Sequence, residues 1–322
     1  MRAIEVPEYG DASVLTSTDK EVPEPGPGEL RIAVEAAGIN FADIMQRRGQ
    51  YPGGPEPPYV PGMEAAGSID AIGDGVDRSV GDRVVAMTTG GYAEYAIAPA
   101  GAVFDVPVSM SSEEAAGFPV QFLTAYSALF TLGDLTAEDS VLIHAAAGGV
   151  GTAATQLAAN ASATVFGTAS TSEKLELADK LGVDHPINYT EVAFDEKISN
   201  LTDQHGVDLI LDGVGGETTT ESFDCLSPFG TLVAFGAASG QPGTVDTGTI
   251  LFNNASVYGF HLGQSMQHDP ERILQSVPEL TELLLDGKLS VIVGETFDLS
   301  AVGAAHEYIE DRRSVGKVVL QP

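Results

Sequence analysis

Cysteine is almost absent from this sequence: Cys225 stands alone among 322 residues, so neither an intrachain disulfide nor a cysteine-built zinc site can form. Tryptophan is missing, and cations are scarce, with 46 Asp and Glu against 15 Lys and Arg for a formal net charge of −31. A surface so short of Lys and Arg neutralises phosphates poorly, which disfavours nucleic acid and anionic membranes as partners. The acids are scattered rather than gathered into a tail. A dispersed acidic shell with few lysines fits a protein working in concentrated salt, where counterions screen self-repulsion. Long apolar runs are lacking too. The stretch from Val141 to Ser172 carries no Asp, Glu, Lys or Arg, but glycines break it and Ala and Thr dominate it. That is the pattern of a buried parallel strand with its helix, and no membrane span is expected. The first residues, Met1-Arg-Ala-Ile-Glu-Val-Pro, put an acid and a proline where a signal peptide needs an apolar stretch, so a cytoplasmic location is expected.

What the chain does contain is 43% apolar residues, enough for one or two domains with a sizeable core. Its most informative segment runs from Ser140 to Ala158: a β-branched apolar run, a glycine cluster, then an Ala-rich amphipathic stretch. This is the strand, tight turn and helix of a dinucleotide-binding unit. Gly148 removes a Cβ from the path of a pyrophosphate, and Gly151 lets the helix start pack close to the strand. The N–H groups of Gly149, Val150 and Gly151 then point at the phosphates with the helix dipole behind them. Ala146 replaces the first glycine of G-x-G-x-x-G, so a bare glycine turn is the competing reading.

The next strand, Ala163 to Ser170, indicates which dinucleotide. An NAD site needs an acid at its end for the ribose 2′-OH, and none stands there. Gly167, Thr168 and Ser170 offer small groups and hydroxyls instead, with Lys174 one turn later beside Glu173. A 2′-phosphate is attracted by that lysine, so NADPH is favoured over NADH. The alternative is that Lys174 is an exposed helix residue.

The first 120 or so residues alternate in short β-like runs punctuated by Pro and Gly, with one helix expected from Asn40 to Arg48. From about Phe118, strands and helices alternate. Strands are predicted at Val141–Ala145, Thr164–Gly167, Pro186–Asn188, Leu209–Asp212, Thr231–Phe235 and Ser256–Phe260, with helices such as Thr171–Leu181, Glu217–Leu226 and Pro270–Asp286. That describes an α/β fold with a doubly wound parallel sheet. β character resumes at Val291, and a short helix near Val302–Arg312 precedes a strand at Lys317. This gives a Rossmann domain over residues 120–287. A discontinuous, mostly-β domain is formed by residues 1–119 with 288–322 returning to it. Cys225 reads as a small buried hydrophobe.

Several segments together resemble the zinc-free quinone oxidoreductase (zeta-crystallin-like) branch of the medium-chain dehydrogenase/reductase superfamily. They are Gly38-Ile-Asn-Phe-Ala-Asp43, Val60-Pro-Gly-Met-Glu-Ala-Ala-Gly67, Ala145–Gly151, His185-Pro-Ile-Asn-Tyr189 and Val315-Gly-Lys-Val-Val-Leu320. Within that branch, Thr164–Ser170 and Gly259-Phe-His-Leu-Gly263 are most similar to vesicle amine transport protein-type members. The resemblance covers nearly the whole chain. It implies a GroES-like catalytic domain beside a Rossmann domain, an active site in the cleft between them, NADPH as cofactor, and a homodimer joined through the edges of the Rossmann sheets. It places Asn40 where zinc-dependent relatives carry a Cys ligand and Met63 where they carry a His, so no metal is expected.

Without a Lewis acid the substrate must already accept hydride well, as quinones and conjugated enones do. The resemblance assigns Asn40 and Tyr51 to substrate binding and charge stabilisation. The bland readings are a helix N-cap for Asn40 and a loop aromatic for Tyr51, while Asp43 reads as structural. It also implies Thr124 near the nicotinamide, Tyr189 near the adenine, Gly213-Val-Gly215 and Phe235-Gly236 on the nicotinamide ribose side, and Phe260 and Lys317 as further contacts. Against these stand a strand-end role for Tyr189, core roles for Phe235 and Phe260, a solvated terminus for Lys317, and a turn role for Asp212. The expected function is NADPH-dependent reduction of quinones or similar conjugated carbonyls. Rival readings are double-bond reduction in an enal, enone or enoyl thioester, and a non-catalytic cofactor-binding protein.

Overall fold

The computed structural model describes residues 1–322, which divide into two units. One comprises Met1–Val120 with Val291–Pro322, the other Gln121–Ser290.

The second unit is built on a six-stranded, wholly parallel sheet. We number its strands β1 (Ser140–Ile143), β2 (Thr164–Ala169), β3 (His185–Asn188), β4 (Val207–Asp212), β5 (Leu226–Ala234) and β6 (Ser256–Gly259). Their spatial order is β3-β2-β1-β4-β5-β6. The order reverses between β1 and β4, the switch point at which open α/β sheets bind ligands beyond their strand C-termini. Central strands are covered on both faces, so Val141, Leu142, Val165, Ile210, Leu211, Leu232 and Val233 are all fully buried. Helices α1 (Gly149–Asn160) and α2 (Ser172–Leu181) follow β1 and β2. Leu142, Phe166, Ile187, Phe194, Ile198, Ile210 and Leu232 form one core cluster there, with Cys225 among them.

Two predicted helices are shorter than expected. The stretch 270–286 forms two helices, Pro270–Leu274 and Val277–Leu285. Pro278 has no N–H to continue the first helix and is tolerated only in the first turn of a new one. The Ser276 hydroxyl donates to the Ile273 carbonyl at 2.7 Å across the break. The helix predicted from Glu217 ends at Ser222, and β5 begins at Leu226 instead of Thr231.

In the first unit a seven-stranded sheet runs in the order Val293–Asp298, Lys317–Gln321, Glu29–Ile39, Glu64–Ile72, Arg83–Met87, Val103–Asp105, with Tyr95–Pro99 also pairing to Glu29–Ile39. The C-terminal strand lies antiparallel to Glu29–Ile39 with Val318 opposite Ile39, and Ala65 lies opposite Ala37 on the other side. Three strands therefore bring Lys317, the Ile39–Asn40 corner and Glu64 to one place. The helix Phe41–Arg47 leaves from that corner.

Candidate functional site

In the second unit Gly148–Gly151, Ser170, Tyr189, Gly213, Phe235 and Phe260 follow the C-terminal ends of parallel strands, while Thr124 and Lys174 lie in helices. The turn after β1 is sharp, with Ala145 in the left-handed region at φ 51°. Its start is tied to β2: the Ala146 N–H donates to the Thr168 carbonyl at 3.0 Å, and the His144 Nδ1 lies 3.1 Å from the Thr168 hydroxyl. Gly148 is the N-cap of α1, in extended backbone. A Cβ on Gly151 would stand 2.2 Å from the Ala145 carbonyl oxygen, and one on Gly149 would stand 2.5 Å from Gln121 Nε2. Helix α1 therefore starts in contact with the turn, as the sequence suggested. Its first-turn N–H groups, ahead of the i→i−4 ladder, face the end of the sheet with the positive end of the helix dipole.

After β2, Ser170 is half-buried, and Thr171 caps α2 by accepting the Lys174 N–H at 3.3 Å. No carboxylate follows the strand before Glu173. Tyr189 is 39% exposed, and its N–H donates to the Ala169 carbonyl at 3.3 Å, which sets it beside the end of β2. Across the switch point, Asp212 closes β4 by accepting the N–H groups of Val214 and Gly215 at 2.8 and 2.9 Å and the Thr219 hydroxyl at 2.5 Å. Its turn reading is the one the geometry supports. A Cβ on Gly213 would lie 2.7 Å from the Phe235 ring, so this glycine and Phe235 are in close contact. The Phe260 N–H donates to the Ala234 carbonyl at 2.9 Å. Phe235 and Phe260 are half-buried at strand ends and not core residues, whereas Thr124 is buried in the helix Pro119–Tyr126.

The first unit gathers a different chemistry. Asn40 is the N-cap residue of Phe41–Arg47, and its N–H donates to the Asp43 carboxylate at 2.8 Å. Its side chain reaches further. Lys317 Nζ donates to Asn40 Oδ1 at 2.8 Å, and Asn40 Nδ2 donates to Glu64 Oε1 at 2.9 Å. Lys317 also pairs with the same Glu64 oxygen, and Glu64 Oε2 accepts the Val120 N–H at 2.9 Å. Lys317 is 1% exposed and Glu64 fully buried. A solvated-terminus reading of Lys317 is thereby corrected: the C-terminal strand carries it into the core, where its ammonium bonds Asn40 Oδ1 and Glu64 Oε1.

Asp43 is fully buried and accepts the Tyr92 hydroxyl at 3.0 Å, while its Oδ1 has no partner. Burial pushes its carboxyl up to about 6, against the lowering effect of the Asn40 N–H and the Tyr92 hydroxyl. Tyr51 is half-buried, and burial followed by the Asp43 charge raises its hydroxyl above the ordinary value. It is therefore an O–H donor at neutral pH. Arg47, also fully buried, donates to the Gly10 carbonyl at 3.2 Å and reaches His306 and Glu310. Sequence reasoning missed Glu64, Gln121 and the Arg47–His306 contact. Only Glu64 left a signal, a carboxylate set directly before the apolar run Ala65-Ala-Gly67 at the start of the strand Glu64–Ile72.

Two family descriptions match the chain, "Alcohol dehydrogenase GroES-like domain" over residues 26–108 and "Zinc-binding dehydrogenase" over residues 149–279. The synaptic vesicle membrane protein VAT-1 homolog of Danio rerio is 38% identical, covering 99% of this chain and 69% of that protein. The quinone oxidoreductase-like protein 2 homolog of Nematostella vectensis is 36% identical, covering 92% of this chain and 82% of its own length. Among solved structures, a mycobacterial protein, Rv1454c, complexed with NADPH is 38% identical with a TM-score of 0.94, covering 100% of both chains. Escherichia coli quinone oxidoreductase complexed with NADPH is 32% identical with a TM-score of 0.94, again over 100% of both chains. The CurK enoyl reductase is 32% identical with a TM-score of 0.90, covering 99% of this chain and 98% of the other.

Proposed function

This chain belongs to the medium-chain dehydrogenase/reductase superfamily, and from that premise we propose that it is an NADPH-dependent oxidoreductase delivering hydride to quinones or similar conjugated carbonyls without zinc. The observation that carries the substrate reading is the polar corner of the first unit. Its donors are the Asn40 amide, tied to a buried ammonium, and the Tyr51 phenol.

The second unit fits the dinucleotide. Gly149 and Gly151 let the start of α1 close against Gln121 and the Ala145 carbonyl, and α1 supplies amide N–H groups for a pyrophosphate. The uncharged end of β2, with Ser170 and Lys174 following, suits a 2′-phosphate. In this reading Tyr189 meets the adenine, Thr124, Gly213 and Phe235 the nicotinamide side, and Phe260 is a further contact, while Lys317, bonded to Asn40 and Glu64, is not assigned to the cofactor. Bound NADPH would supply the hydride. Asn40 and Tyr51 orient the acceptor by its carbonyl oxygen and offer N–H and O–H to the negative charge that collects there. Water protonates the product, so no side chain need act as an acid.

The name of one matched family raises zinc, and the residues do not fit it. Zinc takes three or four converging Cys, His or carboxylate donors. No three His, Cys, Asp or Glu side chains form such a group, and Asn40 is already bonded to the Lys317 cation, which repels a divalent ion.

The likeness to an enoyl reductase supports a second reading, hydride transfer to a carbon–carbon double bond conjugated to a carbonyl. NADPH oxidation followed by absorbance in molar KCl, with a naphthoquinone in one cuvette and a 2-alkenal in another, separates the two. Turnover of the naphthoquinone is the expected result. Turnover of the alkenal alone would transfer the assignment to the second reading, and NADPH binding without either would end both.

We propose a cytoplasmic location from the character of the first residues; separately, no helix is long and apolar enough to cross a membrane.

A further inference from the structure

The corner around Asn40 has more structure than substrate binding by a lone amide requires. An asparagine amide presents either its carbonyl or its N–H₂ group, and a half-turn about its last side-chain bond exchanges them. Here both neighbours forbid the exchange. Lys317 has only donors, so the Asn40 atom 2.8 Å from Nζ must be the carbonyl oxygen. Glu64, paired with Lys317, has only acceptors, so the atom 2.9 Å from its Oε1 must be the amide nitrogen. Reversing the amide would press N–H against an ammonium and a carbonyl against a carboxylate.

One hydrogen on Asn40 Nδ2 goes to Glu64, and the carbonyl lone pairs face Lys317. What the half-buried side chain still has to offer is its second N–H. We infer that Lys317 and Glu64 are positioning residues that lock the Asn40 amide as a hydrogen-bond donor to the acceptor oxygen of the substrate. The inference rests on the proposed hydride-transfer reading and deepens it at the same site.

The surroundings are built for this pair. A Cβ on Gly38 would lie 2.5 Å from Lys317 Cε and 2.8 Å from Glu64 Oε1, and one on Gly117 would lie 3.2 Å from Lys317 Cγ. Two glycines thus make the room that the long cation occupies. A buried ion pair of this kind is weak as a source of stability, since apolar residues of equal volume often serve as well. Its value is directional. Hydride arrival carries two electrons to the acceptor, and the carbonyl oxygen takes up negative charge before water protonates it. A fixed N–H stabilises that charge with no reorganisation, whereas an amide free to turn would present its carbonyl for part of the time and repel it.

The test uses the full chain in molar KCl with NADPH and a naphthoquinone. Lys317→Met, which keeps the volume and removes the donor, should lower kcat about 100-fold while leaving the NADPH dissociation constant within about twofold of the parent. Lys317→Gln, whose amide N–H can still face Asn40 Oδ1, should recover at least about tenfold of that loss. A Lys317→Met enzyme within about threefold of the parent kcat would overturn the inference, as would equal losses in both variants. If Lys317→Met does not fold, the unmodified chain decides. In a proton–nitrogen spectrum the Asn40 side-chain pair, assigned by its disappearance in Asn40→Asp, should show the Glu64-bonded proton shifted downfield of a free amide and slow to exchange with solvent. Both protons at free-amide shifts and exchanging as fast as those of an exposed asparagine would sink the inference. A parent protein that reduces no acceptor would defeat the hydride-transfer reading instead, while the spectrum would still report the amide.

Discussion

At the scale of single residues, Asp43 is where burial and charge conflict most openly. A carboxyl held at about 6 instead of 3.8 is protonated in the folded chain at pH values where the unfolded chain has ionised. The folded state binds more protons over that window, so stability falls as pH rises from about 4 to about 6, by about 3 kcal/mol in all. Below pH 4 both states are protonated and nothing is lost. His144 and His306 act in the opposite sense, because burial depresses them to about 4 and about 3 and acid then favours the unfolded chain. The comparison must therefore be differential. Asp43→Asn, which cannot ionise but can still accept the Tyr92 hydroxyl, should gain about 2–3 kcal/mol over the parent between pH 4 and pH 7.5 in urea unfolding. A constant gap across that range would show that Asp43 is charged in the native protein. At the phosphate turn, Gly151→Ala places a methyl 2.2 Å from backbone that cannot yield. It should weaken NADPH by more than about tenfold, with NADH affected equally, because the turn meets the pyrophosphate that both share. Lys174→Ala should instead weaken NADPH alone. Equal loss of both dinucleotides in a fluorescence titration of Lys174→Ala would remove this lysine from the 2′-phosphate.

Elements were legible in proportion to how local their causes are. Strands β1, β2 and β4 announced themselves because burial on both faces demands unbroken runs such as Val141-Leu-Ile and Leu209-Ile-Leu. The turn into α1 was legible for the same reason, since Gly151 answers to Ala145 only six positions away. The Lys317–Glu64–Asn40 cluster was not, because residues 253 and 277 positions apart meet only once three strands have paired in register. Nothing near Lys317 in the sequence distinguishes a core ammonium from a solvated one. The outer strand β6 carries another consequence. It ends the parallel sheet, so its outer edge presents unpaired backbone groups, and Tyr258 on it is 43% exposed. Beside it in the chain, Leu251 and Phe252 of the helix Thr247–Asn253 are 71% and 85% exposed. Exposed apolar groups at an open sheet edge mark an association surface, and we propose that two copies join there as a homodimer. Phe252→Asp should convert a dimer to a monomer in light scattering without loss of helical signal. A parent chain that is already monomeric at micromolar concentration would defeat the proposal.

For the whole molecule the governing quantity is charge. Of 15 cations two, Arg47 and Lys317, are buried, and of 46 acids three, Asp43, Glu64 and Asp212, so nearly all of the net −31 stands on the exposed surface. Surface pairs such as Arg2–Glu94 and Lys288–Asp286 are few and individually weak. Unpaired carboxylates repel one another over a Debye length of about 10 Å at 0.1 M salt and only about 3 Å at 1 M. Screening therefore relieves the compact state more than the expanded one, where the same charges stand further apart. We expect the thermal midpoint to climb by at least about 10 °C between 0.1 M and 2 M KCl, with most of the rise below 1 M, where the Debye length changes fastest. A rise that continued linearly to the highest concentration would point to exclusion of salt from apolar surface, not to screening. Replacing a dozen exposed acids by glutamine discriminates further: the variant should be more stable than the parent in dilute buffer and indistinguishable from it in 2 M KCl. A parent protein equally stable in dilute buffer and in molar salt would detach the acidic surface from any high-salt setting and leave its charge without a stabilising condition.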